Sequence, residues 1–430
     1  MIEVEKIIPG GQSLGTEKNG KKIFFWNALP GEKVTDFEAT KTKSSFTEAI
    51  ATSITNHSEF RVTPRDEHFL STSPWQNMDF NYEQKIKAEL VVEIFREHGI
   101  EIDTPKVYTD GCDYFYRNKM EYALYWDNDT NRISLAFHAR GSHRKLPVKR
   151  SSIERPEIFA AAQKIVDDLN ARHEEARKYQ SLLLRCNQAG EVSGGLFENG
   201  KPHPVFKNLT DTILGHEYSY SPNGFFQINL PVYEMVLTEI KKHITTDKVL
   251  DLYAGVGTIG LSVARDKKLT LVEVDKSAYS EMLRNVAMAN KHLLEGPPER
   301  GSARMSGARP WRRDGRTQPE RSVFGAIGAI LDKSENVTDY IEPDQTVILD
   351  PPRAGCDKKL IEKLLEVTPE KIVYLSCNPA TQARDVKLLI EKYHIDIVKT
   401  YNFFPHTPHI ENLIVLSLND GQKKTAIHNK

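Results

Sequence analysis

The stretch Asp251-Leu-Tyr-Ala-Gly-Val-Gly-Thr-Ile-Gly260 contains the glycine-rich turn that decides the fold of this 430-residue chain. It continues the apolar run KVLDLY, so it lies where a buried strand turns into a helix. Glycine in such a turn lets backbone N–H groups approach a ligand without an intervening Cβ. The next strand, LTLVE, delivers Glu273 eighteen residues after Gly255, where a carboxylate accepts the two hydroxyls of an adenosine ribose. NAD and S-adenosylmethionine both satisfy this pattern.

Around this turn the chain has an α/β pattern. From about residue 208 onward, apolar strands alternate with helix-like segments, and this alternation predicts a parallel sheet. The strands read KVLDLY, LTLVEVD, TVILD, KIVYLSC and LIVLSL. Residues 296–322 break the alternation with glycine, proline and seven arginines against three acidic residues. We interpret them as a mobile insertion, either a solvated loop or a segment whose arginines touch phosphates.

Two further segments precede the α/β region. Residues 1–62 alternate short apolar runs with Gly, Asn and Pro, which is typical of a small antiparallel barrel. The central part, 63–207, combines a helix over 82–99, two strands and a second helix over 156–179. The first helix is predicted to bury one apolar face, formed by Ile86, Leu90, Val91, Ile94 and Phe95. We therefore predict three domains: 1–62, 63–207 and 208–430.

The composition excludes several classes of protein. Lysine and arginine number 58 against 59 acidic residues, and the pI is near 6.9, so the chain is neither a polycationic nucleic-acid coat nor an acidic disordered protein. No apolar run approaches the ~20 residues of a membrane helix, and the amino terminus lacks the features of a signal peptide. We expect a cytoplasmic protein. The four cysteines, Cys112, Cys186, Cys356 and Cys377, are too far apart for a CxxC knuckle or a disulfide framework.

Three of the predicted strands begin or end at a side chain that could bind a ligand or take part in catalysis. Asp350-Pro-Pro follows the strand TVIL, and a carboxylate with carbonyls in the cleft above the sheet favours S-adenosylmethionine over NAD. Cys377 ends the strand KIVYLS at the mouth of the same cleft, where we predict a nucleophile. Glu411 begins the strand LIVLSL and is our candidate general base. His406 and His409 precede it without a Cys or carboxylate at metal-ligand spacing, so no metal site is expected.

Five motifs in sequence order resemble the S-adenosylmethionine-dependent RNA 5-methyluridine methyltransferases. They read FFQIN, DLYAGVGTIG, VILDPPRAG, YLSCNPAT and PHTPHIE. The amino-terminal Gly10-Gly11, Gly15 and Ala-Leu-Pro-Gly-Glu32 resemble the TRAM module, an RNA-binding barrel that precedes the catalytic domain in the ribosomal-RNA branch. Tyr116-Arg-Asn-Lys-Met120 resembles the central domain of the family. The resemblance implies a Rossmann-like class I methyltransferase domain, an OB-like barrel and a small α+β central domain.

The resemblance also implies a mechanism and a set of site residues. Cys377 adds to C6 of uracil and makes C5 nucleophilic toward the sulfonium methyl group, after which Glu411 removes the C5 proton. The cofactor contacts implied by the family are Gln227, Tyr253, Gly255, Glu273 and Asp350, with Asn229 as a further candidate. The target base must be unstacked before it can react. A basic run, Arg140, Arg144, Lys145, Lys149 and Arg150, is either an RNA-binding surface or a solvated face.

Two features depart from the family pattern. Many relatives hold a [4Fe–4S] cluster through four cysteines, but Asp66, the LSTS stretch and Ser151-Ser152 stand here instead, so no cluster is expected. We expect packing around Phe69, Trp75 and Phe80 to replace it, or a less stable region. In addition, residues 291–330 show no evident third strand with its acidic residue, which leaves the adenine-side contact unassigned.

These observations predict an RNA uracil-C5 methyltransferase, preferentially acting on 23S ribosomal RNA because the chain has the amino-terminal barrel. Methylation of the transfer-RNA T-loop uridine is an alternative within the same class. A catalytically inactive RNA-binding protein is an alternative from another class, motivated by the missing third strand. We expect a monomer that binds RNA and no membrane.

Overall fold

The computed structural model describes residues 1–294, 320–324 and 326–419. Most of the predicted arginine-rich insertion, residues 295–319, lies outside this part of the chain. The described chain divides into two compact units. Unit 1 comprises residues 1–94, 109–207 and 402–410, and unit 2 comprises residues 95–108, 208–401 and those from 411 onward.

The helices and strands follow in chain order. The first half contains β1 (Ile2–Ile7), β2 (Ser13–Thr16), β3 (Lys22–Trp26), β4 (Lys33–Thr42), β5 (Phe46–Thr55), α1 (Phe69–Thr72), α2 (Phe80–Glu97), β6 (Val107–Tyr108), β7 (Lys119–Asp127), β8 (Arg132–His138), β9 (Lys145–Pro147), α3 (Pro156–Ala171), β10 (Ser181–Cys186), β11 (Val192–Glu198) and β12 (Lys201–His203). The second half contains β13 (Leu209–Ile213), β14 (His216–Tyr220), α4 (Leu230–Lys242), β15 (Lys248–Leu252), α5 (Thr258–Val263), β16 (Lys268–Glu273), α6 (Lys276–Leu294), β17 (Glu320–Phe324), β18 (Ile327–Leu331), β19 (Gln345–Leu349), α7 (Lys358–Val367), β20 (Lys371–Ser376), α8 (Pro379–Leu389), β21 (Tyr393–Tyr401) and β22 (Glu411–Leu418).

The amino-terminal strands β1 to β5 form a closed barrel, as predicted, in the order β1-β2-β3-β5-β4. The prediction that the barrel is antiparallel is wrong for one strand pair, because β3 and β5 run parallel. Alternate side chains point inward, as the period of two in a strand requires. The barrel core consists of Val4, Ile23, Phe25, Ala28, Val34, Ala49 and Ala51. Gly15 lies where a Cβ would come within 2.7 Å of Ile2 Cγ2 and 3.2 Å of the Phe25 ring. A larger residue at position 15 therefore requires the barrel wall to move.

The central part of unit 1 is a sheet of six strands in the order β12-β11-β10-β7-β8-β9. Helix α3 packs on it through the apolar side chains of Ile158, Ala162, Val166 and Leu169. The prediction that this helix continues to residue 179 is wrong, because it ends at Ala171. His173 has a left-handed φ of 55°, which no right-handed helix accommodates.

Helix α2 agrees with the sequence to within two residues at each end. It runs from Phe80 to Glu97, against the predicted 82–99. The side chains of its predicted apolar face are all buried: Ile86, Leu90, Val91, Ile94 and Phe95.

A hydrogen-bonded cluster lies at the positions where the resemblance to the family implied iron–sulfur cysteines. The buried carboxylate of Asp66 accepts hydrogen bonds from the Ser152 backbone N–H (2.9 Å), the Ser152 hydroxyl (2.7 Å) and the Gln76 side-chain amide (2.9 Å). The Gln76 Oε1 in turn accepts from the backbone N–H groups of Arg65 and Asp66. The cluster connects segments 65–76 and 151–152. The sequence predicted that packing around Phe69, Trp75 and Phe80 would stabilise this region. Of these three side chains, Trp75 is buried, whereas Phe69 and Phe80 are partly exposed, and the hydrogen-bonded cluster adds to their packing.

Replacing Asp66 by alanine is expected to destabilise unit 1. The change leaves the Ser152 and Gln76 donors without their acceptor, and an unsatisfied buried group costs about 1–3 kcal/mol. We expect a lower urea midpoint for Asp66→Ala, measured by far-UV circular dichroism. Asp129→Ala, a change at an exposed aspartate of the same unit, should leave the midpoint in place. Equal midpoints for wild type and Asp66→Ala would show that the cluster contributes nothing to stability.

In unit 2, nine of the described strands form a sheet in the order β17-β18-β16-β15-β19-β20-β22-β21-β6, and β13 and β14 form a separate two-stranded sheet. Five neighbouring strands of this sheet are mutually parallel, as predicted: β18, β16, β15, β19 and β20. The prediction that LIVLSL is also parallel is wrong, because β22 runs antiparallel to both β20 and β21. The chain passes from β21 to β22 through a loop without a helical crossover, and such a connection joins antiparallel strands.

The third strand that the sequence failed to show is present. Ile327–Leu331 forms β18 and pairs parallel with β16, with Ile327 opposite Leu269. Asp332 follows directly and donates its backbone N–H to the Glu273 carbonyl (3.1 Å). Gly328 and Ala329 give the strand a weak propensity, which explains why its pattern was not recognised.

Candidate active site

The predicted site residues of unit 2 meet at one edge of its sheet. Tyr253 follows β15, Glu273 ends β16, Asp350 follows β19 and Cys377 follows β20. These four strands are parallel, so their carboxyl ends lie at the same edge. Strand β22 runs in the opposite direction, and its first residue, Glu411, therefore lies at that edge too. The reversal of β22 thus does not remove Glu411 from the site.

The glycine-rich turn leaves open space beside a carboxylate. The Gly255 backbone N–H donates to Glu273 Oε2 at 2.8 Å, while Glu273 Oε1 accepts from the N–H groups of Val274 and Asp275. Gly255 has a φ of 58°, and a Cβ built there would meet no atom within 4 Å. The neighbouring Tyr253 also has a positive φ, 63°. The turn is thus shaped so that the space next to Gly255 stays free for a ligand.

Asp251 is a functional residue whose role the sequence did not indicate, although it opens the motif. Its Oδ2 accepts a hydrogen bond from the Gly260 N–H at 2.8 Å, and its Oδ1 is buried with no hydrogen-bond partner among the residues that the structure describes. A Cβ on Gly260 would lie 2.8 Å from this Oδ2 and 2.6 Å from Leu271 Cδ2, so glycine is required there. Burial raises the pKa of Asp251 to about 8. The carboxyl group fixes the start of α5 from beneath the turn.

Replacing Asp251 by asparagine is expected to flatten the pH dependence of stability. An unfolded aspartate has a pKa of about 3.9, below the folded value of about 8. Between these values the unfolded chain binds fewer protons than the folded chain, so stability falls as pH rises. Asparagine retains the acceptor for Gly260 and has no proton to lose. Between pH 5 and pH 8 we expect the melting temperature to fall less in Asp251→Asn than in wild type, by scanning calorimetry.

The control for this measurement is Asp266→Asn, a change at an exposed aspartate of the same unit. It should follow the wild-type curve. Parallel curves for all three proteins would contradict a raised pKa at Asp251.

Cys377 and Glu411 are neighbours across two paired strands. The register of β20 and β22 places Ser376 opposite Asn412, and the next pair in this register is Cys377 and Glu411. Burial, together with the charges of Glu411 and Asp350, raises the pKa of the Cys377 thiol to about 11. Burial and the charge of Asp350 raise the pKa of Glu411 well above its usual range. Burial raises the pKa of Asp350 to about 7.

Arg353 is a second residue whose role the sequence did not indicate. Its charge opposes the rise in the pKa of both Cys377 and Glu411. Its carbonyl oxygen accepts hydrogen bonds from Asn378 Nδ2 (2.8 Å) and the Thr381 hydroxyl (3.2 Å). These bonds connect the turn after Asp350 to the turn that carries Cys377. The position of Arg353 directly after Asp-Pro-Pro is the signal that could have identified it.

The FFQIN motif lies in the loop between β14 and α4 rather than at a strand end. Gln227 is buried there, and the ring of Phe226 stacks on Tyr220 with centroids 3.9 Å apart. Asn229 is the N-cap of α4 and accepts from the Val232 N–H. Phe225 is 74% exposed. The motif therefore combines a fixed amide side chain with a solvent-facing aromatic ring.

The basic run of unit 1 separates into two groups. Arg140 lies over the Trp26 ring, 4.1 Å from its centroid, and Lys145 Nζ donates to the Leu124 carbonyl at 2.7 Å. Lys145 is nevertheless exposed, as are Arg144, Lys149 and Arg150, whereas Arg140 is half-buried. The exposed group is the part of the run that can meet a phosphate backbone.

Two kinds of feature are absent from the part of the chain that the structure describes. In residues 1–294, 320–324 and 326–419, no three His, Cys, Asp or Glu side chains come together in a way that could hold a metal ion. Within the same ranges, no helix has the length and apolar character needed to cross a membrane.

Comparison with known proteins assigns the class. Residues 333–419 match the family model described as tRNA (Uracil-5-)-methyltransferase, and residues 231–320 match Conserved hypothetical protein 95. A relative from Enterococcus faecalis, described as an uncharacterized RNA methyltransferase, is 28% identical over 97% of both chains. A similarly described relative from Staphylococcus aureus is 27% identical over 92% of this chain and 93% of its own.

A solved structure shares the fold. The Pyrococcus abyssi tRNA (uracil-54, C5)-methyltransferase, crystallised with S-adenosyl-L-homocysteine, superposes with a TM-score of 0.70 at 21% identity. The match covers 97% of this chain and 100% of the other. This likeness confirms the predicted Rossmann-like fold. The matched relatives confirm the predicted class, an RNA methyltransferase, and residues 333–419 carry the predicted uracil-5-methyltransferase family domain.

Proposed function

We propose that the protein transfers a methyl group from S-adenosylmethionine to C5 of a specific uridine in RNA, through a covalent adduct between Cys377 and C6. The observation that carries this proposal is the position of Cys377, which lies one residue beyond the Ser376–Asn412 pair and interacts electrostatically with Glu411 and Asp350. A thiol and a carboxyl group side by side can supply a nucleophile and a proton acceptor to one ring.

The residues at the glycine-rich turn suit S-adenosylmethionine. The space next to Gly255 is open, and the Glu273 carboxylate retains acceptor capacity for a ribose hydroxyl beyond its three backbone hydrogen bonds. Asp332, at the end of the third strand beside Glu273, supplies the acidic residue proposed for the adenine side. Gln227, Tyr253 and Asp350 complete the proposed binding set. When bound, the cofactor would supply an electrophilic methyl group on a positively charged sulfur, and the methyl–sulfur bond would break as C5 bonds to the methyl carbon.

The chain's own residues perform the remaining chemistry. Cys377 loses its thiol proton to solvent, and the resulting thiolate forms a bond to C6 while the electron pair of the C5–C6 double bond makes C5 a nucleophile. After methylation, Glu411 takes the C5 proton, the C5–C6 double bond re-forms, and the C6–sulfur bond breaks to release Cys377. The raised pKa of Glu411 makes its carboxylate a better proton acceptor than an ordinary glutamate. The positive charge of Arg353 favours the thiolate form of Cys377.

The RNA substrate is proposed to be 23S ribosomal RNA, with the transfer-RNA T-loop uridine as the alternative. The barrel formed by β1 to β5, which motivated the ribosomal choice, is also consistent with the alternative, because a tRNA methyltransferase aligns over 97% of this chain. The alternative hypothesis, a catalytically inactive RNA-binding protein, rested on a missing third strand. That strand is present as β18 and pairs with β16, so we do not propose this alternative. A cytoplasmic, monomeric enzyme belongs to the same proposal.

Release of tritium from RNA labelled at uracil C5 tests this function, because methylation must break the C5–H bond. Purified protein and S-adenosylmethionine are incubated with ribosomal or transfer RNA that lacks 5-methyluridine. Release that requires the cofactor is the expected result, and the pool that reacts identifies the substrate class. No release from either pool, with protein that binds both RNAs, would contradict the proposed reaction.

A further inference from the structure

Phe115 is an exposed aromatic residue held in an unusual backbone conformation. It is 42% exposed, and its φ of 57° lies in the left-handed region. A bulky side chain is a conformational outlier there, since this region favours glycine. Burial does not explain why the position carries phenylalanine, because much of the side chain remains in solvent.

Hydrogen bonds on both sides hold this conformation. The Phe115 N–H donates to the Ser152 carbonyl and the Arg117 N–H to the Ile153 carbonyl, both at 2.9 Å. Ser152 is itself fixed by the Asp66 carboxylate. Strained residues of this kind persist where surrounding structure determines them, and they concentrate at functional sites. The Asp66 cluster therefore has a second consequence, which is to fix the orientation of Phe115.

A cationic side chain lies beside the Phe115 ring. The Arg150 guanidinium lies 5.0 Å from the ring centroid, and both Arg150 and Lys149 are exposed. An exposed ring beside exposed cations is the combination with which proteins bind unpaired nucleic acid, by stacking on a base and pairing with its phosphate.

The chain neighbours of Phe115 contact the loop that precedes Glu411. The Tyr114 ring lies 4.4 Å from that of His406, and the Tyr116 hydroxyl donates to the Pro405 carbonyl at 3.0 Å. His406 and Pro405 belong to the segment 402–410 of the same unit. Phe115 is thus anchored to a loop that continues directly into the proposed base.

We propose that Phe115 is a stacking platform for an unpaired base of the substrate RNA, with Arg150 pairing with the adjoining phosphate. The proposal rests on the proposed function and deepens it by naming a residue that holds single-stranded substrate. A ring fixed in advance binds a base without losing much side-chain freedom.

Phe115→Gly separates this role from a structural one. Glycine suits the left-handed conformation, so the variant should melt at the wild-type temperature or above it. Loss of the stacked base should raise the Kd for a fluorescein-labelled single-stranded 12-nucleotide uridine RNA by about tenfold or more. Kd is measured by fluorescence anisotropy on the full chain. Phe115→Trp, which keeps an aromatic face, should retain most of the affinity.

Trp126→Ala provides the matched control, since Trp126 is 43% exposed and lies in β7 of the same unit. It should leave the Kd unchanged. Unchanged affinity in Phe115→Gly, or a loss of affinity that parallels a lower melting temperature, would overturn the stacking role. Tritium release by the wild-type protein is measured separately, so that the proposed function and the stacking role of Phe115 are tested independently. Full release by wild type, together with unchanged RNA affinity in Phe115→Gly, refutes the stacking role alone. Wild-type protein that neither binds the RNA nor releases tritium refutes both.

Discussion

Cys377→Ala abolishes tritium release and leaves RNA affinity within about twofold of wild type. This result is expected because the thiol acts only after the base is seated, and removing a catalytic nucleophile lowers turnover by a factor on the order of 10⁴ or more. Cys377 is partly buried at the end of β20, and alanine there removes one sulfur atom without disturbing the Ser376–Asn412 strand pair. Single-turnover release and anisotropy, on the same preparation, measure the two quantities.

Cys112→Ala is the control for the loss of a thiol as such, since Cys112 is exposed and lies outside the proposed active site. It should retain wild-type turnover. Measurable turnover in Cys377→Ala at a comparable rate would exclude covalent catalysis by this thiol.

Glu411→Gln is expected to accumulate a covalent protein–RNA complex that survives a denaturing gel. Attack of Cys377 and methylation at C5 both precede proton removal, and a glutamine has no carboxylate to accept the proton. The reaction therefore stops with the C6–sulfur bond intact. A shifted band that requires S-adenosylmethionine, together with loss of tritium release, is the predicted outcome.

Two further variants define the origin of that band. The double variant Cys377→Ala with Glu411→Gln should give no shifted band, because the bond to C6 cannot form. Glu362→Gln, at an exposed glutamate of α7, should turn over normally. If Glu411→Gln releases tritium like wild type, another group removes the C5 proton.

The sequence predicted the strand-end residues because their chemistry coincides with strong local signals. Each of Glu273, Asp350 and Cys377 ends an apolar run, and parallel strands bring such ends together whatever the loops do. The sequence also predicted Glu411 as a site residue, but it wrongly predicted that the strand beginning at Glu411 is parallel to the others. Its position survived because an antiparallel strand that begins at the edge is equivalent to a parallel strand that ends there.

The features that the sequence did not reveal depend on weak or distant signals. Strand β18 contains Gly328 and Ala329, which have little strand propensity. Its pairing with β16 arises from the tertiary fold. The Asp66 cluster joins residues 86 positions apart, so no local pattern records it. The left-handed conformation of Phe115 follows from that long-range cluster and is equally invisible in the sequence.

The exchange of segments between the two units has a consequence for how the protein can be divided. Residues 402–410 belong to unit 1, but they interrupt a chain that belongs to unit 2 on either side. Within unit 1, Trp75 donates its backbone N–H to the His406 carbonyl, and Lys87 Nζ donates to Asn402 Oδ1. A fragment beginning at residue 208 would lose both supports for the loop that delivers Glu411. Residues 402–410 would thus keep their place in the chain but lose the residues of unit 1 that hold them.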